Sequence, residues 1–154
     1  MATPPQRLRV LTVRYTNAAT GSGEPLLAPT VLDSPEACAA IFSALLAGEA
    51  CEVFGLLCLS STRRLVAYHE VSRGSLDSTV VHPREVFKAA LLANASAIVL
   101  AHNHPSGHCT PSDADIAVTR RLVEAGKILG IELLDHVIIS STRYYSSREA
   151  GTLF

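Results

Sequence analysis

Apolar and polar positions change period along this chain in a regular order, and each change marks an element. Residues 8–15 alternate imperfectly, with Leu8, Val10 and Thr12 set against Arg9, Leu11 and Val13, which predicts an edge strand. Gly21, Gly23, Pro25 and Pro29 make residues 16–29 a loop or loose hairpin. Ser34-Pro35-Glu36 then supplies a hydroxyl cap, a proline whose missing N–H costs nothing in the first turn, and an acid at the positive end of a helix dipole. A helix follows to about Ala47, with Ile41, Phe42, Leu45 and Leu46 on its apolar face, and Gly48 stops it. The run Val53-Phe54-Gly55-Leu56-Leu57-Cys58-Leu59 lacks any polar residue, whereas 65–71 is mixed. With the polar turn 61–64 between them, these two read as a hairpin whose first strand is buried on both faces.

Residues 73–81 form a polar connection, and His82-Pro83 opens a second helix. Val86, Phe87, Ala90 and Leu91 mark its inner side and Asn94 its end. A short apolar strand over 97–101 runs into a histidine-rich loop. A third helix spans Asp113 to Leu129 and closes at Gly130. Residues 131–140 form the last clear strand, and 143–146 add a short one. The order predicts an α/β protein with a mixed sheet between helices. Ligands of such sheets gather beyond strand carboxyl ends, where the histidine loop falls.

A chain of 154 residues makes one domain with a core of useful size. We take residues 34–154 as its body and 1–33 as an amino-terminal extension of it. At 48% hydrophobic and 18% charged the composition is globular, and a formal charge of −1 gives no electrostatic case for a nucleic-acid partner. Basic residues occur as the pairs Arg63-Arg64 and Arg120-Arg121, not as a stripe. Cys38, Cys51, Cys58 and Cys109 show no CxxC spacing and read as free thiols of a reducing compartment. The amino terminus has no signal-peptide core, and no apolar run approaches the ~18 residues that span a bilayer, so a cytoplasmic protein with no membrane partner is expected.

Three of the six histidines fall between Ala101 and Asp115. His102 and His104 are two apart, so on an extended backbone both imidazoles share one face while Asn103 turns away. A bare HxH is accounted for by two solvent-facing loop histidines. Here, however, a fully apolar strand delivers the pair into the turn Pro105-Ser106-Gly107, and a carboxylate arrives at the following helix start. Ser112-Asp113-Ala114-Asp115 is a capping pattern in its own right, with Asp115 at the third helical position. Joined with His102 and His104, Asp115 completes two imidazoles and a carboxylate with a fourth position open, the donor set of a hydrolytic zinc site. Zn2+ fits these ligands best, with iron and manganese compatible.

His102-x-His104-Pro105, followed after six residues by Ser112-x-x-Asp115, resembles the signature of the JAMM (MPN-plus) metalloprotease domains. The longer stretch from His102 to Gly107, together with Thr110-Pro111-Ser112 and Leu134-Asp135-His136, is similar to the RadC branch of that family. The likeness runs from about Ser34 to the carboxyl end. It implies a three-layer α/β/α sandwich of cytidine-deaminase type and one zinc ion held by His102, His104 and Asp115. It also implies hydrolysis of peptide or isopeptide bonds, with Ser112 assisting the transition state and an upstream glutamate acting through metal-activated water. Residue types leave Glu49, Glu52, Glu70 and Glu85 as candidates. The family's glutamate opens an apolar strand two elements before the histidines, which Glu52-Val53-Phe54-Gly55 matches.

His108 and Cys109 depart from the RadC pattern, and we expect no role for either. His136 is open between orienting a ligand and a structural role, while His69 and His82 read as surface or capping residues. The expected function is a zinc hydrolase acting on a protein or peptide, such as a ubiquitin-like or carrier protein. The competing readings are a DNA-repair or DNA-processing factor, the traditional RadC label, and a non-catalytic interaction domain.

Overall fold

The computed structural model describes residues 31–46, 48–74 and 81–153. The strand expected over 8–15, the loop over 16–29 and most of the connection over 73–81 lie outside the described residues. Helix α1, Pro35–Leu46, starts where Ser34 Oγ accepts the Ala37 N–H at 3.2 Å, and Gly48 follows it at φ 79°. Strands β1, Val53–Leu59, and β2, Leu65–Arg73, form the expected antiparallel hairpin, with all seven residues of β1 buried. Helix α2, Pro83–Leu92, is capped by His82, whose ring accepts the Arg84 N–H, and Asn94 follows its end in the left-handed region.

Strand β3 spans Ala97–Asn103, two residues longer than the apolar run, so the strand itself carries His102. Helix α3, Asp113–Leu129, ends in a left-handed Gly130 and leads to β4, Glu132–Ile139, and the short β5, Tyr144–Ser146. The sheet order is β2-β1-β3-β4-β5. Among the described strands only β3 and β4 run parallel, since the long α3 connection allows the chain to cross over and return in the same direction.

Two apolar layers cover the sheet, as the period-2 rule demands of strands buried on both faces. Phe54, Leu56, Ile98 and Leu100 pack against Val86, Phe87 and Ala90 of α2 and Leu122 of α3. Leu57, Leu59, Val99 and Ala101 face the other way, against Cys38, Ile41 and Phe42 of α1. The architecture is thus the α/β/α sandwich expected. Each fully buried Leu, Ile or Phe in these layers contributes roughly 1.5–3 kcal/mol.

One irregularity sets up the site. Ile98 pairs with Leu133, but Val99 pairs with Asp135, so Leu134 is an extra residue in β4. The bulge exchanges the faces of every residue after it. His136 therefore pairs with Leu100 and points to the layer of α2 and α3, the same side as His102.

Candidate metal centre

His102, His104 and Asp115 converge at the carboxyl end of β3 and the amino end of α3. The Nε2 atoms of His102 and His104 lie 2.9 Å apart, Asp115 Oδ1 lies 3.2 Å from His102 Nε2, and Oδ2 lies 3.8 Å from His104 Nε2. His102 is wholly buried and stacks against Phe54 with 5.9 Å between ring centroids.

Hydrogen bonds decide which nitrogen of each ring faces inward. The Thr119 hydroxyl donates to the Asp115 carbonyl at 2.6 Å, so it accepts from His136 Nδ1 at 2.6 Å. His136 then has a lone pair on Nε2, and His102 Nδ1–H donates to it at 2.9 Å. Burial pulls His136 down to about 3, so this ring is neutral and can serve as acceptor. His104 Nδ1–H donates to the His108 carbonyl at 2.7 Å. Both ligand rings consequently direct an Nε2 lone pair at the same point.

Asp115 satisfies two demands with its two oxygens. Oδ2 accepts the Ser112 N–H at 2.8 Å and the Ser112 hydroxyl at 2.7 Å, while Ser112 Oγ accepts the Asp115 N–H at 3.1 Å. The capping box is complete, and Oδ1 is left to face His102. The cap and the ligand are one residue in two roles. Burial pushes the Asp115 carboxyl up. When His102 is protonated, its hydrogen bond and charge, with the donors of Ser112, outweigh burial and hold the carboxyl well below the usual carboxylate range.

Three electron-rich atoms facing one another in a buried site are stabilised by a proton or a metal ion among them. Metal bonds of 2.0–2.1 Å at tetrahedral angles place ligand atoms about 3.3 Å apart, and the observed separations bracket that value. The residues therefore fit a bound metal ion.

Glu52 directly precedes β1. Two residues further on, Phe54 pairs with His102, the last pair of the β1–β3 ladder. Glu49 and Glu70 both pair with Arg73, and Glu85 pairs with Lys88 and Arg84. The His108 ring and the Cys109 thiol stand outside the cluster; Cys109 Sγ lies 3.3 Å from the Arg143 carbonyl. A cleft of about 550 Å³ reaches His104 from the end of α1 and the ends of β3 and β4.

Residues 32–152 match the family described as RadC-like JAB domain. The chain belongs to that family. Among RadC-like relatives, it is 48% identical over 132 residues to the UPF0758 protein of Desulfitobacterium hafniense, covering 86% of this chain and 58% of that one. It is 52% identical over 102 residues to the UPF0758 protein of Alkaliphilus metalliredigens, 66% of this chain and 44% of the relative. The UPF0758 protein of Syntrophomonas wolfei is 51% identical over 102 residues, 66% of this chain and 43% of its own. The chain spans about half the length of these RadC-like relatives. No helix among the described residues is long and apolar enough to cross a membrane.

Sequence reasoning passed over two supports of this RadC-like centre and left a third open. Thr119 follows Asp115 by four residues on the same helix face, a spacing that could have marked it. Asp135 accepts from the His136 N–H, the Ser146 hydroxyl and the Arg148 N–H, tying β5 and the tail to the strand that bears His136. His136 itself turns out to orient His102.

Proposed function

We propose that this RadC-like domain is a zinc-dependent hydrolase that cleaves a peptide or isopeptide bond. The observation that carries the reading is the convergence of three lone-pair donors, each held in its ligating form by a separate hydrogen bond. A scaffold has no use for such a buried, mutually repelling set. His102, His104 and Asp115 would hold the ion, which supplies Lewis acidity to an amide carbonyl and makes water ionisable near neutral pH.

The chain's own residues do the rest. Glu52, two residues before the Phe54 that pairs with His102, would accept the proton of the attacking water and return it to the leaving amine. Ser112 holds its hydroxyl proton on Asp115 Oδ2 in the resting site. Rotation about its Cβ–Oγ bond redirects that proton to the oxyanion as charge develops there, while the Ser112 N–H stays on Asp115. We extend the proposal to a protein or peptide substrate, such as a ubiquitin-like or carrier protein, whose chain end would reach His104 through the adjoining cleft.

Elemental analysis of the purified chain beside His104→Ala tests the site, with one zinc per chain expected in the parent and none in the variant. A quenched isopeptide probe tests the chemistry: turnover should stop with a chelator, and Glu52→Gln should keep zinc while losing hydrolysis. A metal-free parent, or a Glu52→Gln variant with unchanged turnover, overturns the proposal.

A further inference from the structure

Asn103 separates the two ligand histidines in sequence, yet its side chain leaves the cluster and crosses to the neighbouring strand. Its Oδ1 accepts the Val53 N–H at 2.7 Å, and its Nδ2 donates to the Cys51 carbonyl at 2.9 Å. Those two groups lie one on each side of Glu52. The partners leave no freedom in the carboxamide's orientation, because an N–H can only donate and a carbonyl can only accept. On the other side of the hairpin, the Gly74 N–H donates to the Glu52 carbonyl at 2.9 Å.

The backbone pairing of β1 with β3 ends at Phe54 and His102. Beyond that pair the Asn103 carboxamide takes over the role of the ladder, bonding a donor and an acceptor two residues apart. It does so from a nearly buried position, 6% exposed, where both bonds are sheltered from water. The residue that bears the proposed base is thereby tied to the very residue that lies between the ligands.

We infer that Asn103 is a positioning residue for Glu52, making the base and the ligand pair a single rigid unit. This rests on the hydrolase reading above and extends it to a residue with no chemistry of its own. Only an amide of this length serves. Aspartate keeps the bond from Val53 but sets a carboxylate against the Cys51 carbonyl, and alanine loses both bonds. Displacing a catalytic group by about 1 Å costs on the order of 10²-fold in rate, so two hydrogen bonds suffice to matter.

The test uses the full chain loaded with Co2+, whose visible spectrum changes with protonation at the open side of the ion. The parent, Asn103→Ala, Asn103→Asp, Glu52→Gln and the double variant Asn103→Ala with Glu52→Gln are compared for cobalt stoichiometry and for the pH midpoint of the spectrum. Both Asn103 variants should bind one cobalt per chain. The Asn103→Ala midpoint should move by about 1 pH unit in the direction that Glu52→Gln moves it, and the double variant should match Glu52→Gln alone; Asn103→Asp, whose added charge moves the midpoint by itself, serves for folding and stoichiometry.

An unshifted midpoint in Asn103→Ala, or shifts that add in the double variant, would show that Asn103 acts independently of Glu52 and overturn the inference. Loss of folding in both Asn103 variants would make the residue a structural clamp and reject the positioning role. A parent that binds no cobalt overturns the metal reading itself, and a Glu52→Gln midpoint equal to the parent's removes Glu52; either result is separable from a failure at Asn103.

Discussion

His136 Nε2 lies 2.9 Å from Nδ1 of His102, and this one contact sets which face of the His102 ring can bind an ion. Thr119 supports it from behind, accepting from His136 Nδ1 at 2.6 Å. Removing the support should loosen the ligand without removing it. We expect His136→Ala to lower zinc affinity by about 10–100-fold. Thr119→Val should weaken it in the same direction by less. Competition with a chromophoric chelator measures both. Parent-level affinity in His136→Ala would show that the contact does not orient His102.

Asp115 separates cap from ligand by substitution. Asp115→Asn retains an acceptor for the donors of Ser112 but loses the anion, so it should fold normally and bind zinc at least about 100-fold more weakly. Asp115→Ala should lose the cap as well, about 1 kcal/mol, or about 2–4 °C in Tm for a chain of this size. Excess zinc should raise the Tm of the parent, by an amount equivalent to about 2.7 kcal/mol at a hundredfold excess over Kd, and stabilise Asp115→Asn by no more than about 0.4 kcal/mol at the same zinc concentration. A zinc-dependent rise in the Asn variant equal to the parent's would argue that Asp115 is no ligand.

Gly126 tests the packing that holds α3 against the sheet. A Cβ there would stand 2.4 Å from the Ile131 carbonyl oxygen and 3.3 Å from Phe87 Cζ. Alanine gains about 1 kcal/mol of helix propensity over glycine, but the clash is with backbone and cannot be relieved by a rotamer. We expect Gly126→Ala to be destabilised by about 1–3 kcal/mol net, seen as a lower urea midpoint with an unchanged slope. A midpoint equal to the parent's would mean that the start of β4 shifts freely.

Alkaline pH should destabilise the fold. Burial pushes the Cys38 and Cys58 thiols up from 9.0 to about 11, and burial, with Glu70 nearby, pushes Tyr68 from 10.0 to about 12. Between the unfolded and folded values the unfolded chain has released protons that the folded chain keeps. Stability is therefore full below pH 9 and falls as the pH rises towards 11. Urea midpoints taken from pH 7 to pH 11 check the slope, and Cys58→Ala should flatten it while lowering the pH 7 value. In the native chain at pH 8, a thiol reagent should modify the partly exposed Cys51 and Cys109 well before the buried pair.

Much of this was legible from local pattern. Ser34-Pro35, His82-Pro83, Gly48 and Gly130 bound their helices where capping chemistry places them. The continuous apolar runs of β1 and β3 marked strands covered on both faces. The i, i+2 spacing of His102 and His104 put both rings on one face because β3 continues through Asn103. Asn103 was legible only as the residue that turns away; that it reaches the peptides around Glu52 depends on a strand about fifty residues earlier in the chain.

The sequence by itself determined the donors, their strand and helix, and the capping box that presents Asp115, because each depends on residues within a turn or two of one another. Only the tertiary structure decided that His136 belongs with them. An extra residue at Leu134 switches the faces of β4, and without it Asp135 would stand where His136 now meets His102. Strand register is a property of two distant segments, and a one-residue slip inverts it while leaving the local pattern unchanged.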